Sequence, residues 1–571
     1  MTTQGTLRLV AVVLFAALQV LIGPRPAAAA SGTVSVDATS AIGTVTTQLS
    51  TQLVYAGILE ETPGAQQRLS SYAPPLVRIH AGTDGCCWAG GPAPGLPGGV
   101  TRGDWNFSGL NQMIGNVRAY GASPVLNIRY APNWMWTCVA FSGAAGVLRD
   151  LTFGEFGDYI ARLVAYYNKG QMIAENGTVV INPAGTANRL TYWELWNEPD
   201  LSNEDPCHPV GWGPALTPAQ YVTMWNATVP KMLAVDPSLK LVGPVTSFAM
   251  TGRTPDYIPA LMSGATRKPD VVSFHAYGGW ENTQSDVFLF DGEDTCPECG
   301  LRGMVSGLAQ VKAWAPGLPV WVTEVNVNAA YGNDATRRPW NGFGAAWGSS
   351  MFRAMVLGGA ALLHQYEFVA LDQFGLIEET TGKVLLPYWR DYHLARAFPF
   401  GSTLLSTSTS TSGIEVLAAR APGSSNVRVL VVNRQTASAT SVGAAGLPAT
   451  VQVNVNGVSG VTSVTARILD DNTPLASGPA LVALSVGTSA SITFGGFGAA
   501  IVEFSTTGGP TPTTPPTTAP PASTPPASST PPASTPPAST PPASISPLAT
   551  TPPTSSFPAW TPPPTTGSSA L

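Results

Sequence analysis

The segment Trp196-Asn197-Glu198-Pro199-Asp200 follows the largely apolar run 190–195. It places a carboxylic acid, an amide and a helix-breaking proline directly after what reads as a buried strand. A second run, 318–323, ends in Glu324 in the same way. Two glutamates, each at the C-terminal tip of a short β-rich strand, are what acid/base chemistry on a glycosidic bond needs. One carboxyl gives and retakes a proton while the other attacks the sugar carbon, the two standing about 5–5.5 Å apart. Glu198 and Glu324 are separated by 126 residues (324 − 198). That fits three strand–helix units with insertions if Glu198 follows the fourth strand of a barrel and Glu324 the seventh.

The elements that would position them alternate. Strands are expected at 45–53, 76–80, 124–130, 192–196, 239–245, 271–275, 320–323 and 361–366, with amphipathic stretches such as 108–120, 153–167, 217–234 and 341–357 between them. Most of these strands are apolar on both faces, which calls for a parallel sheet covered on both sides. Their count and spacing predict a (β/α)8 barrel over 31–400. A doubly wound sheet is the alternative, but no glycine-rich phosphate loop follows the first strand. Beyond Phe400 the pattern changes to short strands without long helices, including 427–432, 500–504 and the alternating Val451-Gln452-Val453-Asn454-Val455-Asn456, which meets the turn pair Asn456-Gly457. Residues 401–505 therefore read as a β-sandwich, to which Thr33-Val34-Ser35-Val36 can add a strand from the N-terminal side.

The chain has 571 residues, a net charge of -6 and only 11% charged residues, without long runs of either sign. This excludes the basic surfaces that bind nucleic acid or anionic membranes. Arg8, the apolar stretch 9–22 and Ala28-Ala29-Ala30 have the order of an export signal over 1–30, and the stretch is shorter than the ~20 residues of a spanning helix. A secreted protein beginning near Ser31, possessing no membrane segment after cleavage and free to associate with a cell wall, is the expectation. From Thr506 to 571 the chain is mostly Pro, Thr, Ser and Ala, with Ser-Thr-Pro-Pro-Ala recurring at Ser523, Ser529, Ser534 and Ser539. Such a composition predicts a disordered tail, dispensable for folding.

Six cysteines in an exported chain are expected to be oxidised, with 15 pairings open. Cys86, Cys87, Cys138, Cys207, Cys296 and Cys299 all fall in expected loops after strands, so disulfides bracing those loops are predicted. For Cys296-Pro297-Glu298-Cys299 a structural disulfide is favoured over a zinc half-site, because no second pair has zinc-site spacing.

Three further motifs carry a family resemblance: Val77-Arg78-Ile79-His80, Tyr130-Ala131-Pro132, and Trp193-Glu194-Leu195-Trp196-Asn197-Glu198-Pro199. Over most of 45–400 the chain resembles the clan A glycoside hydrolases, and within them it looks most similar to family 39, whose members follow the barrel with a β-sandwich. The resemblance implies a retaining glycosidase with Glu198 as acid/base and Glu324 as nucleophile. It also implies that Asn197 donates to the substrate 2-hydroxyl, that Arg78 lies beside Glu324, and that His275 and Tyr277 contact the nucleophile or substrate. A capping role for Asn197 and a barrel-closing ion pair for Arg78 are the bland alternatives. The implied partner is an oligo- or polysaccharide of plant, wall or exopolysaccharide type, and both chemical steps run on carboxylates and water, with no metal or organic cofactor.

His80 is a candidate for sugar hydroxyls only. Glu194 alternates away from the strand tip and reads as structural, whereas Glu367, after the eighth strand, reads as substrate-lining and competes for a catalytic role. Arg129 could meet a uronide carboxylate or close a barrel ion pair. Trp88, Trp134, Trp136, Trp212, Trp280 and Trp340 fall in loops after strands, where each could stack on a sugar ring or simply pack its loop, Trp134 being the chosen candidate. A transglycosylase, or a non-catalytic carbohydrate-binding wall protein, would share many of these features.

Overall fold

The computed structural model describes residues 30–81, 102–103, 105–129, 131–140, 145–204, 212–214, 216–248, 257–293, 296, 299–330 and 334–507. The expected export signal before Ala30, Trp88, Cys86, Cys87, Cys207 and the tail from 508 lie outside the described residues, as do the side chains of Trp136, Cys138 and Trp212.

Strand β1 (Ala30–Thr44) precedes eight strands that close a parallel barrel: β2 (Gln48–Leu53), β3 (Leu76–Ala81), β4 (Ser123–Ile128), β5 (Tyr192–Leu195), β6 (Lys240–Thr246), β7 (Val271–Tyr277), β8 (Val320–Asn326) and β9 (Leu362–Gln365). Closure is made by β9 on β2, where Gln365 pairs with Thr51. Every strand expected for the barrel is present, and the helices between them wrap the outside. The outward residues of β3, β4 and β5, such as Val77, Ile79, Leu126, Ile128, Trp193 and Leu195, form one core with the helices Ser108–Ala119, Gly154–Lys169 and Pro218–Val235. Helix Pro218–Val235 starts where the sequence dictates, with the Thr217 side chain accepting from Gln220 N–H and the Gln220 side chain answering at Thr217 N–H. Its Tyr221 hydroxyl donates to Leu195 O at 2.8 Å, fastening the end of β5.

The second domain is one nine-stranded sheet. After β10 (Thr403–Thr409), β11 (Ile414–Arg420), β12 (Val427–Asn433), β13 (Ala449–Asn456), β14 (Val461–Leu469), β15 (Val482–Leu484), β16 (Ser489–Phe494) and β17 (Gly498–Thr506), its order is β15-β14-β17-β12-β11-β10-β1-β13-β16. The central strands are buried on both faces. Leu417, Ala419, Leu430, Val432, Ala499 and Ile501 pack on the barrel helices, whereas Val416, Val429, Val431 and Val502 share a separate core with Val451, Val453 and Ile492. The sheet thus folds into two layers, as a sandwich does.

Three expectations need correction here. First, β1 lies between β10 and β13, so residues 30–44 belong to the sheet domain and not to the barrel. Second, Asn456-Gly457 does not close a hairpin, because β14 pairs with β17 and β15 in the other layer, and the turn crosses between layers. Third, Ser505 lies inside the last strand, where it pairs with Ser463. The tail therefore has to be cut after Thr507. That truncation is expected to leave the melting temperature and the turnover of small substrates unchanged. A drop in either, by calorimetry or rate assay, would give the tail a structural role.

Barrel and sheet form one compact unit. Phe290, Phe343 and Phe497 meet between them, each buried ring contributing about 1.5–3 kcal/mol relative to exposure. Beside them the buried Asp286 carboxylate accepts from Gly443 N–H (2.8 Å), Ala444 N–H (3.3 Å) and Arg338 (3.3 Å). Cys296 and Cys299 form a disulfide in the loop after the sixth barrel strand. It closes a local turn between helices Asp286–Asp291 and Gly300–Trp314 and does not tie one loop to another. No described helix is long and apolar enough to cross a membrane.

Candidate active site

Alternation along each barrel strand sends every second side chain inward. The lowest inward layer is apolar, built from Val125, Val242, Val271, Trp321 and Leu362. Two residues further along each strand the layer turns polar: Arg78, Asn127, Glu194, Ser273 and His364 are all fully buried. Polar groups at this depth must satisfy one another. Arg78 is the hub. Its Nε donates to Glu194 Oε2 (2.6 Å), Nη1 to Gln52 Oε1 (2.8 Å) and Glu324 Oε1 (2.7 Å), and Nη2 to Asn197 Oδ1 (2.8 Å).

Glu324 joins the next layer up, level with His275, through a β-bulge. Phe274 pairs with Val322 but His275 pairs with Glu324, so Thr323 is an extra residue in β8. Plain alternation from the inward Trp321 would turn Glu324 outward; the bulge resets the parity and turns it in. β8 also continues to Asn326, so Glu324 lies within the strand and not beyond its end as expected. Its Oε2 accepts from the Tyr277 hydroxyl at 2.7 Å, which together with Arg78 leaves both carboxylate oxygens held from the sides. Burial, then the Glu324 charge, push the Tyr277 phenol well up, so it stays a donor.

Glu198 sits on a strained turn. Trp196 and Glu198 have φ of 73° and 46°, a left-handed region costing non-glycine residues about 1–3 kcal/mol each. The surroundings over-determine it. Glu198 N–H donates to Val245 O (2.8 Å), itself at φ 63° in a bulge of β6, and Asn127 Nδ2 donates to Trp196 O (2.8 Å). The Asp200 carboxylate accepts from Ser247 N–H (2.8 Å to Oδ1) and Ser247 Oγ (2.6 Å to Oδ2).

His275 Nδ1 lies 2.8 Å from Glu198 Oε1 and 3.5 Å from Glu324 Oε2. One oxygen of each glutamate and a His275 nitrogen all lie within 4.8 Å of one another. Three such atoms could serve a metal ion, but Arg78 bonded to Glu324 puts a fixed positive charge beside any cation there. Burial pushes the Glu198 carboxyl up to about 7, against the pull of Arg78 and Arg129. It pushes His275 down to about 4 despite Glu324, so that ring is neutral when Glu198 holds its proton. Burial also drives Glu367 well above the carboxylate range, helped by Asp372 and Glu324.

Six expected residues, Arg78, Asn197, Glu198, His275, Tyr277 and Glu324, thus meet in one cluster, hydrogen-bonded throughout except for the 3.5 Å contact between His275 and Glu324. Arg78 takes the Asn197 oxygen, which leaves Nδ2 as the end of that amide able to donate. His80, buried above Arg78 on β3, is neutral because burial, Arg129 and Arg78 hold it well below the imidazole range. Trp134 is not brought to the cluster by any contact among the described residues. Its ring meets Tyr159 edge-on and lies near Arg149 (5.1 Å) and Arg102 (5.9 Å), and it is half-buried. Trp280 packs edge-on against Phe288, and Arg337 stands over Trp340, in keeping with loop packing. Sequence reading missed Gln52 and Asn127 and did not connect Glu194 to the site. Glu194 stands two residues back from the expected strand end at 196, and Asn127 three back from the one at 130.

No protein-family model and no curated protein matches this sequence. Solved structures do match in shape. A family 39 β-xylosidase from Caulobacter crescentus superposes with a TM-score of 0.56 at 17% identity, covering 83% of this chain and 99% of that one. A family 39 enzyme from Xanthomonas axonopodis pv. citri gives 0.57 at 17%, covering 85% and 100%. A family 30 subfamily 8 xylanase from Clostridium acetobutylicum gives 0.54 at 13%, covering 82% and 98%. The chain has the fold of the clan A glycoside hydrolases.

Proposed function

We propose that this protein is a secreted retaining glycoside hydrolase, similar to family 39, that cleaves an O-glycosidic bond by double displacement. The observation that carries the reading is the Glu198–Glu324 pair. Their oxygens approach within 4.8 Å, which suits direct attack on the sugar by one of them. An inverting pair stands about 6.5–9.5 Å apart to leave room for water.

In the first step a Glu324 oxygen forms a bond to C1 as the C1–O bond to the leaving group breaks, and Glu198 gives its proton to the departing oxygen. In the second, Glu198 takes a proton from water, the water oxygen bonds C1, and the ester to Glu324 breaks. Arg78 and Tyr277 hold the nucleophile's orientation, and Asn197 Nδ2 is placed to donate to a neighbouring hydroxyl. Neutral His275 contacts Glu198 without competing for its charge. Export rests on the N-terminal segment described above, and the neighbours' own names supply the first substrates to try.

The reading is tested by screening activated aryl xylosides, arabinofuranosides, glucosides, galactosides and uronides, followed by wall and capsule polysaccharides. Release of the aryl group from at least one is expected; silence across the panel would favour the binding-protein alternative. A pH profile adds a second check. With Glu198 titrating near 7, kcat/KM for an unactivated glycoside should fall with the protonated fraction as pH rises through that value. A profile level well into the alkaline range would assign the proton to another group.

A further inference from the structure

Glu194 lies in the fourth barrel strand, fully buried, one layer below the reacting groups and out of reach of a sugar. Its Oε2 nevertheless binds two groups that lead directly to the chemistry. Arg78 Nε donates to it at 2.6 Å, and the same guanidinium donates to Glu324. Asn127 Nδ2 donates to it at 3.0 Å, and the same amide donates to Trp196 O in the turn that carries Glu198.

We propose, on the reading above, that Glu194 is a positioning residue that sets the strength of the nucleophile by sharing the Arg78 charge with it. A guanidinium bonded to a single carboxylate would neutralise it strongly, giving a weak nucleophile and a good leaving group. With two carboxylates on one cation, each keeps more of its negative charge. Glu324 therefore attacks C1 better in the first displacement and leaves C1 less readily in the second.

The charges around the two carboxylates leave Arg78 as the cation they share. Arg78, His275, Tyr277, Glu198 and Glu367 surround Glu324. Arg78, His275, His364 and Tyr221 surround Glu194. Burial holds both histidines neutral, at about 4 for His275 and about 3 for His364.

The test uses Glu194→Gln, which keeps an oxygen for Arg78 Nε but removes the charge. With an aryl glycoside whose second step limits kcat, kcat/KM should fall on the order of tenfold while kcat holds or rises. The acid limb of kcat/KM should move to lower pH. Gln52→Glu is the opposite perturbation, adding a third anion on Arg78 Nη1. Among the described residues Gln52 Nε2 has no hydrogen-bond partner, so this change loses none of the bonds they make. It should move the acid limb to higher pH and lower kcat. Should Glu194→Gln fail to fold, Gln52→Glu still decides. Equal losses in kcat and kcat/KM with unmoved limbs in the folded variants would make Glu194 a structural brace and overturn the inference. Absence of wild-type turnover would instead overturn the enzymatic reading on which it rests.

Discussion

Replacing Glu324 by alanine is expected to reduce turnover by about 10⁵-fold or more for every glycoside the wild type accepts, whatever its leaving group. The size follows from what is lost. Glu324 is the carboxylate whose two oxygens are held by Arg78 and Tyr277, and no neighbour can replace it. Burial, then Asp372 and Glu324, push the Glu367 carboxyl well up, which disfavours the ionised form a nucleophile needs. Asp200 is engaged by Ser247, and Glu194 lies a layer below. Alanine leaves a cavity floored by a guanidinium, a ready seat for a small anion. Azide or formate should restore part of the activity by attacking C1 from that side, giving a glycosyl azide of inverted configuration with azide. Steady-state rates with and without azide check this, and near-normal turnover by Glu324→Ala would pass the role to Glu367.

Glu198→Ala should behave differently. Loss of a general acid costs about 10²–10⁴-fold, and the loss falls where protonation matters. Disaccharides and alkyl glycosides should be turned over poorly, whereas aryl glycosides with very acidic phenols should form the glycosyl-enzyme at close to the wild-type rate. The second step then lacks its base, so kcat for the activated substrates falls and KM falls with it. Azide, needing no deprotonation, should enter the space the carboxylate vacated and release a glycosyl azide of retained configuration. Glu198 leans on His275 and on a turn fastened by Val245 and Asn127, and alanine at 198 keeps the backbone bond to Val245. A uniform loss across leaving groups would assign the proton to another residue.

Much of this arrangement was legible in the chain itself. The eight barrel strands are short, mostly apolar on both faces and separated by helical periodicity, a pattern that few folds share, and the two glutamates mark the C-terminal ends of two of the expected strands. What was not legible depends on register and on partners distant in sequence. Glu324 faces inward only because Thr323 is an extra residue in β8, and a bulge leaves no mark in hydrophobic periodicity. Gln52, Asn127 and Glu194 look like interruptions of apolar strands until the barrel closes and Arg78 gathers them. Thr33-Val34-Ser35-Val36 showed its alternation, but the partners β10 and β13 begin more than 350 residues later. Trp134 carried the composition of a sugar platform, whereas the groups its ring meets, Tyr159, Arg102 and Arg149, come from other segments.

The central claim is that Glu324 bonds to C1 and Glu198 works on both sides of that intermediate. The stereochemistry of the first-formed product tests it most directly. The wild-type protein is mixed with an accepted aryl glycoside in an NMR tube, and the anomeric proton of the released sugar is followed before mutarotation scrambles it. Two inversions at one carbon restore the starting configuration, so the sugar should appear first as the anomer of the substrate. First appearance of the opposite anomer would mean that water attacks C1 directly, and would contradict a covalent role for Glu324.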